Sequence, residues 1–353
     1  MFYLNTLIRE NQKPLIKRNN FLRLDKNERN FRIDNKFFKK INKAVTDTLI
    51  QSYPENIDEL KELLAKKEKI DSKYISITPG ADGALKYIFE LLKSNKNKNV
   101  SSLFPTYAML EVYTKIFQFK LTKVIRPINK KIISNDFIKK NTKLVYIANP
   151  NMPDGQVIEK EQILKLIKLS NKKNFFLIID ETYIDFSNYK SLKNLVPKNK
   201  NLIVIKSFSK SLGLAGLRLG YLIANSNILK LVNKIRPLAD ISSLSAEIAL
   251  ILLRDNDYKK KYINEIKKSK KLVKHQCKKL NLKLIETETN FFHLIFERKT
   301  DKIQKILKKN KILVRKNKII VDNIFKNTLR VTYSNKKNMN FFFKKLKLIL
   351  KKK

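Results

Sequence analysis

Tryptophan is absent from the 353-residue chain, cysteine occurs once and histidine twice. Cys277 alone cannot close an internal disulfide, and with only His275 and His293 beside it the usual zinc ligand sets cannot be assembled. Disulfide scaffolds and metal chemistry are set aside on that ground. No apolar run approaches the roughly 18 uninterrupted residues of a membrane span. Met1 to Asn19 interleaves apolar residues with Arg9, Glu10, Lys13 and Lys17, unlike the apolar centre of a signal peptide. A cytoplasmic location without a membrane partner is the resulting expectation. Acidic residues are also scarce, 31 against 77 Lys and Arg, for a formal net charge of +46. Such a balance suits nucleic acid or an anionic surface. Yet the basic residues are spread along the whole chain among Asn and Ile, so a basic nucleic-acid-binding protein is the lesser reading, and salt-sensitive, non-specific attraction to polyanions is expected either way. The basic stretch Phe341 to Lys353 reads as a helix closing a small domain in preference to a membrane-surface helix. Glycine is the most telling scarcity. All six (Gly80, Gly83, Gly155, Gly213, Gly216 and Gly220) fall in segments that on other grounds face a ligand, where backbone must turn sharply or approach closely.

The residues that are present supply a core: 43% are hydrophobic, enough for one large α/β domain and a smaller one. The densest signal is Ser207 to Tyr221, which follows the apolar run Leu202 to Ile205 and holds three of the six glycines. Lys210 stands between Ser209 and Ser211, and Arg218 follows in a Gly-rich turn. An amine so placed suits condensation with an aldehyde while the arginine and hydroxyls hold a phosphate. A Ser/Gly turn carrying an exposed lysine is the plainer alternative.

Taken in order, Leu24 to Arg29 is a compact polar cluster containing Asn27 and Glu28, Lys36 to Leu49 reads as a helix ended by Tyr53-Pro54, and Asp58 to Lys69 as an amphipathic helix. A strand over Ile75 to Thr78 leads through Gly80, Ala81, Asp82 and Gly83 into a helix. That N-terminus aims free N–H groups and a positive dipole end at an anion, or is simply a helix start with Asp82 in its first turn. The strand Val100 to Phe104 delivers Tyr107, able to stack on a flat ring or to serve as core. Leu144 to Ala148 delivers the rigid loop Asn149 to Gly155, at the strand end where ligands of open α/β sheets sit. Phe175 to Ile179 delivers Asp180 and Tyr183: a carboxylate able to pair with a protonated ring nitrogen, or a turn cap, and a phenol within reach of a ring oxygen. After a strand over Tyr221 to Ala224, a long helical region interrupted at Pro237 runs to about Leu280. The remainder alternates strands over Phe291 to Phe296, Ile312 to Arg315 and Leu329 to Thr332 with helices. Arg315 and Arg330, at strand ends, suit an anionic substrate group, although basic strand ends are ordinary in so basic a chain.

Together these segments, from about Leu24 to Leu350, resemble the class I/II aminotransferases that use pyridoxal 5'-phosphate, most closely the histidinol-phosphate aminotransferase branch. The resemblance implies an α/β fold of type I: a large domain with a mostly parallel central sheet plus a smaller α+β domain. It divides the chain into an N-terminal segment (1–45) joining the small domain, a large cofactor-binding domain (46–240), and an interdomain helix with a small C-terminal domain (241–353). It implies that Lys210 bonds the cofactor and shuttles a proton, that Asp180 keeps the pyridine nitrogen protonated, and that Tyr183 contacts the ring hydroxyl. Tyr107 would stack on the ring, and Ala81, Asp82, Ser207, Ser209 and Arg218 would secure the phosphate. Tyr53 would reach the phosphate of a neighbouring subunit in a homodimer. Arg330 would grip the substrate's anionic group, and Asn27-Glu28 would fold over the pocket. The chain departs from the family where Met152 replaces an asparagine that bonds the ring oxygen, a role that Asn151 or Asn149 would then take over or that is lost. Arg29 and Asp154 replace a usual asparagine and threonine, and Arg236 to Asp240 lacks a common Pro-Tyr-Asn stretch. The expected reaction is transamination of a small phosphorylated or carboxylated amine, histidinol phosphate with 2-oxoglutarate and glutamate first. Decarboxylation of an amino-acid phosphate, or another small-molecule transamination, is the alternative.

Overall fold

The computed structural model describes residues 17–94, 98–125, 133–317, 325 and 327–351. Of the interleaved stretch Met1 to Asn19, the part through residue 16 lies outside the described residues. A two-residue strand β1 (Leu22–Arg23) precedes helices α1 (Asn35–Ala44), α2 (Asp47–Gln51) and α3 (Ile57–Glu68). The large sheet is then laid down as β2 (Ile75–Thr78), α4 (Gly80–Leu92), β3 (Asn99–Phe104), α5 (Ala108–Ile116), β4 (Lys120–Ile125), β5 (Thr142–Ala148), α6 (Lys160–Lys173), β6 (Phe176–Asp180), β7 (Leu202–Ser207) and β8 (Gly220–Ile223). Helices α7 (Ser226–Ile235), α8 (Ser243–Arg254) and α9 (Tyr258–Lys279) lead to β9 (Lys283–Ile285), β10 (Phe291–Ile295), α10 (Thr300–Lys309), β11 (Ile312–Leu313), β12 (Arg315–Lys316), β13 (Thr328–Thr332) and α11 (Lys336–Lys351).

The seven-stranded sheet has the order β2-β8-β7-β6-β5-β3-β4. Its pairings are parallel except those of β8, which runs against both β2 and β7. Strands β5 to β7 are almost unbroken aliphatic runs because both sheet faces are covered. Side-chain alternation divides them between two cores. Val145, Ile147, Leu177, Ile179, Leu202 and Val204 enter one, beside α3 and α8, while Leu144, Tyr146, Ile178, Ile203 and Ile205 enter the other, beside α4 and α7. A third core lies in the small domain, between the antiparallel sheet β12-β13-β10-β9 and α9 to α11.

Several local expectations are corrected. The single helix expected over Lys36 to Leu49 is two, because Val45 turns extended and the Thr46 hydroxyl accepts from Leu49 N at 3.3 Å, capping a new helix. The strand expected over Ile312 to Arg315 is split: β11 pairs with β1, β12 pairs with β13, and the break at Val314 sends the halves to different sheets. The helical region after Ile228 is three helices, with Arg236 extended ahead of Pro237. Phe37 of α1 and Ala246, Ala249 and Leu250 of α8 pack into the large-domain core, so that core draws on both sides of the 46–240 span expected from sequence. Strands β4 and β9, short and lysine-bearing, were not anticipated.

Two glycines show how tightly β8 meets the start of α4. A Cβ on Gly220 would lie 2.6 Å from Gly80 C and 2.7 Å from Ala81 N, both backbone atoms that cannot step aside. Gly220→Ala is therefore expected to destabilise the protein by about 1–3 kcal/mol and to weaken anion binding at the α4 N-terminus. Urea midpoints and phosphate titration check this. Gly80 itself adopts φ +73°, and a Cβ there would approach Arg218 Nη2 to 3.1 Å.

Candidate active site

The carboxyl ends of β2, β3, β5, β6 and β7 open on one edge of the large sheet, and a cavity of about 200 Å³ lies there. Its wall contains Lys210, Asp180, Tyr183, Tyr107, Ser207 and Ser209 from strand ends and the loops that follow them. Ala81 and Asp82 enter from the first turn of α4, Arg218 from the glycine-rich turn, Asn27 from the N-terminal segment and Arg330 from β13 of the small domain. Residues more than 300 positions apart thus share one cavity.

Lys210 Nζ donates to the carbonyl oxygens of Asn27 at 3.1 Å and Lys26 at 3.4 Å, and sits 5.8 Å from the centre of the Tyr183 ring. Asp180 is buried. Its Oδ2 accepts from Tyr146 OH at 2.7 Å and its Oδ1 from Thr182 N at 2.9 Å, and no cation pairs with it among the described residues. Burial raises its pKa, against the hydrogen bonds from Thr182 and Tyr146. A carboxylate held in this way lacks a counter-charge, which a protonated ring nitrogen would supply. Opposite it, Tyr107 OH donates to Asp82 Oδ1, and burial together with Asp82 keeps that phenol protonated. Arg218 Nη2 donates to Asp82 Oδ2 at 3.2 Å beside the first-turn N–H groups of α4. Arginine, helix N-terminus and the Ser207 and Ser209 hydroxyls make a cradle suited to phosphate. The donor set therefore fits pyridoxal phosphate: an amine for the aldehyde, an acid for the nitrogen and a cradle for the phosphate.

Arg330 is largely buried, and burial lowers its pKa. Its Nη1 lies 3.2 Å from Met152 Sδ, its Nη2 donates to Asp25 O at 3.2 Å, its Nε is buried without a hydrogen-bond partner, and among the described residues no carboxylate pairs with it. A thioether is a weak acceptor. The guanidinium is thus a desolvated cation with donors to spare.

Five residues expected at the site stand elsewhere. Asn151 is 1% exposed and turned away from the cavity, its amide donating to Pro105 O and accepting from Thr106 Oγ1, both at 2.9 Å. Asn149 Oδ1 is engaged by Ile158 N at 2.9 Å, so neither asparagine replaces Met152, which faces the cavity itself. Glu28 is drawn to Arg18 at 2.7 Å and Arg23 at 4.0 Å, outside the cavity wall. Arg315 pairs in register with Arg330 across β12 and β13, but its side chain is exposed and outside the wall. Tyr53 is 85% exposed and likewise outside it. Sequence reasoning missed Tyr146, although a lone hydroxyl-bearing residue in the aliphatic run of β5 had to find a partner.

Behind Asp180 and Lys210 lies a buried ionic group that the sequence reading also missed. Lys206 Nζ bonds Glu68 Oε2 at 3.0 Å and lies 4.0 Å from Glu181 Oε2, Tyr221 OH donates to Glu68 Oε1 at 2.6 Å, and Lys193 completes the pairing. Burial alone would raise Glu68, but Lys206, Lys193 and Tyr221 overcome it and hold its pKa at about 2, below an ordinary 4.5. A depressed carboxylate stabilises the fold above its unfolded value and loses that contribution as pH falls through its folded value. Stability should therefore drop between pH 4.5 and about 2, by about 2–3 kcal/mol from this group. Glu181, raised by burial, works in the opposite direction. Glu68→Gln should flatten this acid limb, read as urea midpoint against pH, while lowering stability at neutral pH because buried Lys206 keeps only the more distant Glu181 carboxylate, at 4.0 Å.

A profile of the family described as Aminotransferase class I and II matches residues 19–346. The histidinol-phosphate aminotransferase of Thermoanaerobacter pseudethanolicus is 33% identical over 298 residues, 83% of each chain. Among solved structures, histidinol-phosphate aminotransferase from Sinorhizobium meliloti in complex with pyridoxal-5'-phosphate superposes with a TM-score of 0.85 at 21% identity, over 99% of this chain and 96% of that one. L-threonine-O-3-phosphate decarboxylase from Porphyromonas gingivalis gives 0.78 at 22%, over 94% and 100%. At those identities the two structures establish the fold, and the profile and the sequence relative establish the kinship. With the amine, acid and phosphate cradle gathered at one sheet edge, the chain belongs to the class I and II aminotransferases, enzymes dependent on pyridoxal phosphate.

Proposed function

We propose that the protein transaminates a small amine bearing an anionic group, histidinol phosphate with glutamate and 2-oxoglutarate as the exchange pair. The observation that carries this is Arg330: a desolvated guanidinium on the cavity wall, without a carboxylate among the described residues and with an unpartnered Nε. The curated relatives named histidinol-phosphate aminotransferase support the choice of substrate.

When bound, pyridoxal phosphate supplies an aldehyde that condenses with amines and a ring that withdraws electrons from the adjoining carbon. In this reading Lys210 provides the amine that holds that aldehyde at rest and then carries a proton between substrate carbon and cofactor carbon. Asp180 keeps the ring nitrogen protonated, Tyr183 faces the ring hydroxyl and Tyr107 covers the ring face. Ser207, Ser209, Arg218 and the N–H groups of Ala81 and Asp82 hold the phosphate. Tyr53 acts in the neighbouring subunit of a homodimer; its exposure, with Ile50 and Leu238 also exposed nearby in the fold, supports a second copy covering this face. Sedimentation at twice the chain mass, shifted toward the monomer by Leu238→Glu, checks the dimer.

The deciding measurement is the visible spectrum of the cofactor-loaded protein, taken before and after glutamate and then histidinol phosphate. A band that bleaches with glutamate and returns with the keto acid supports transamination; turnover with histidinol phosphate supports the substrate. A loaded protein inert to both amines would overturn the reading. Release of carbon dioxide from an amino-acid phosphate would favour the decarboxylase alternative, which shares the fold.

A further inference from the structure

Asn27 is tied down on every side. Its backbone N–H donates to Thr332 Oγ1 at 3.0 Å, and Thr332 Oγ1 lies 3.4 Å from Asn27 Oδ1 as donor. Its carbonyl accepts from Asn290 Nδ2 at 3.1 Å. It adopts φ +55°, a left-handed conformation that asparagine tolerates better than most residues. With the amide oxygen turned to Thr332, the amide nitrogen is left to donate to Tyr183 OH at 3.0 Å.

This arrangement sets a direction. An amide N–H can only donate, so the Tyr183 oxygen accepts from Asn27 and its own proton must point elsewhere. The phenol ring is fixed against Phe291, edge to face, with centroids 5.7 Å apart, and Tyr183 lines the cavity. We infer that Asn27 is a positioning residue: by donating to the Tyr183 oxygen it turns the phenol proton into the cavity and strengthens its donation to the ring oxygen of the bound cofactor. The inference rests on the proposed placing of Tyr183 at that oxygen. Donation into a phenol makes the phenol a better donor in turn. Because Thr332 and Asn290 belong to the small domain, the polarity of the cofactor site is coupled to the docking of that domain.

The test is the pH midpoint of the visible absorbance change of the cofactor-loaded protein. A stronger donor to the ring oxygen lets the proton shared there leave at lower pH. Asn27→Gly keeps the left-handed backbone and removes the amide; the midpoint should rise by about half a unit to one unit, the size of one modest hydrogen bond. In a Tyr183→Phe background the same change should produce no rise. Asn27→Asp, which keeps side-chain shape and backbone preference, guards against a folding failure of the glycine variant. Its carboxylate accepts from the phenol, so its rise should be larger with Tyr183 present than with phenylalanine there. The other groups around the phenol, namely Lys210, Arg330, Tyr107, Tyr262 and Asp180, are unchanged throughout. An unmoved midpoint, or an equal shift in both backgrounds, overturns the inference while leaving the aminotransferase reading intact. A wild-type protein that shows no cofactor band overturns both.

Discussion

Lys210→Ala is expected to lower turnover by about 10⁴-fold or more while leaving the fold in place. Two effects combine in that figure: loss of the amine that holds the cofactor, and loss of a positioned proton carrier, itself worth about 10²–10⁴-fold. The fold should survive because Lys210 Nζ contacts the Lys26 and Asn27 carbonyls and, among the described residues, no buried acid, so its removal strands no charge. The measurement is steady-state transamination beside a thermal melt of the same preparation. An active variant of normal stability would show that the lysine at the end of β7 is not the group that does the chemistry.

Asp180→Asn is expected to move stability and activity in opposite directions. In the cofactor-free protein, ionised Asp180 is buried without a cationic partner among the described residues, and burial pushes its pKa up, so its charged form costs stability at neutral pH. An amide of the same shape keeps the acceptor for Thr182 N and donates to the Tyr146 oxygen; the relief of the buried charge offsets the acceptor that the Tyr146 proton loses, so the apo variant should melt no lower than wild type. With cofactor, the amide cannot hold a proton on the ring nitrogen, and turnover should fall by about 10³-fold, near 4 kcal/mol of lost stabilisation. Calorimetry of both forms with a single-turnover assay gives the comparison. A variant that is both less stable without cofactor and fully active would contradict the reading of this carboxylate.

Much of the site was legible because its parts lie where a strand stops. An aliphatic run followed at once by a polar residue marks a carboxyl end on the sheet edge, as at Asp180, and Ser207 and Tyr107 follow within two or three residues of the apolar positions Ile205 and Phe104. What could not be read is which side a loop residue faces. Asn151 looks the equal of Met152 in the sequence, yet Pro105 and Thr106, in the loop after β3, claim its amide and leave the thioether facing the cavity. Glu28 was misplaced for the same reason: Arg18 and Arg23 draw it aside through contacts formed only when β1 folds. The Glu68–Lys206 pair spans 138 positions, beyond any local pattern. The break at Val314 was hidden because four consecutive strand-forming residues do not reveal that two sheets divide them.

The joining of the chain's two ends has a further consequence, for the order of assembly. Leu22 pairs with Ile312, and the Asn27 N–H meets a hydroxyl 305 positions later. During synthesis the early segment Leu22 to Asn27, which straps over Lys210, lacks these partners until Ile312 and Thr332 have emerged, whereas β5, β6 and β7 follow one another along the chain. Contacts so distant in sequence form slowly because a large loop must close first. The central sheet, with Asp180 at its edge, is therefore in place while the strap over Lys210 is still open. That interval gives the cofactor free entry to a nascent site that the first-made segment covers only once its late partners have been made.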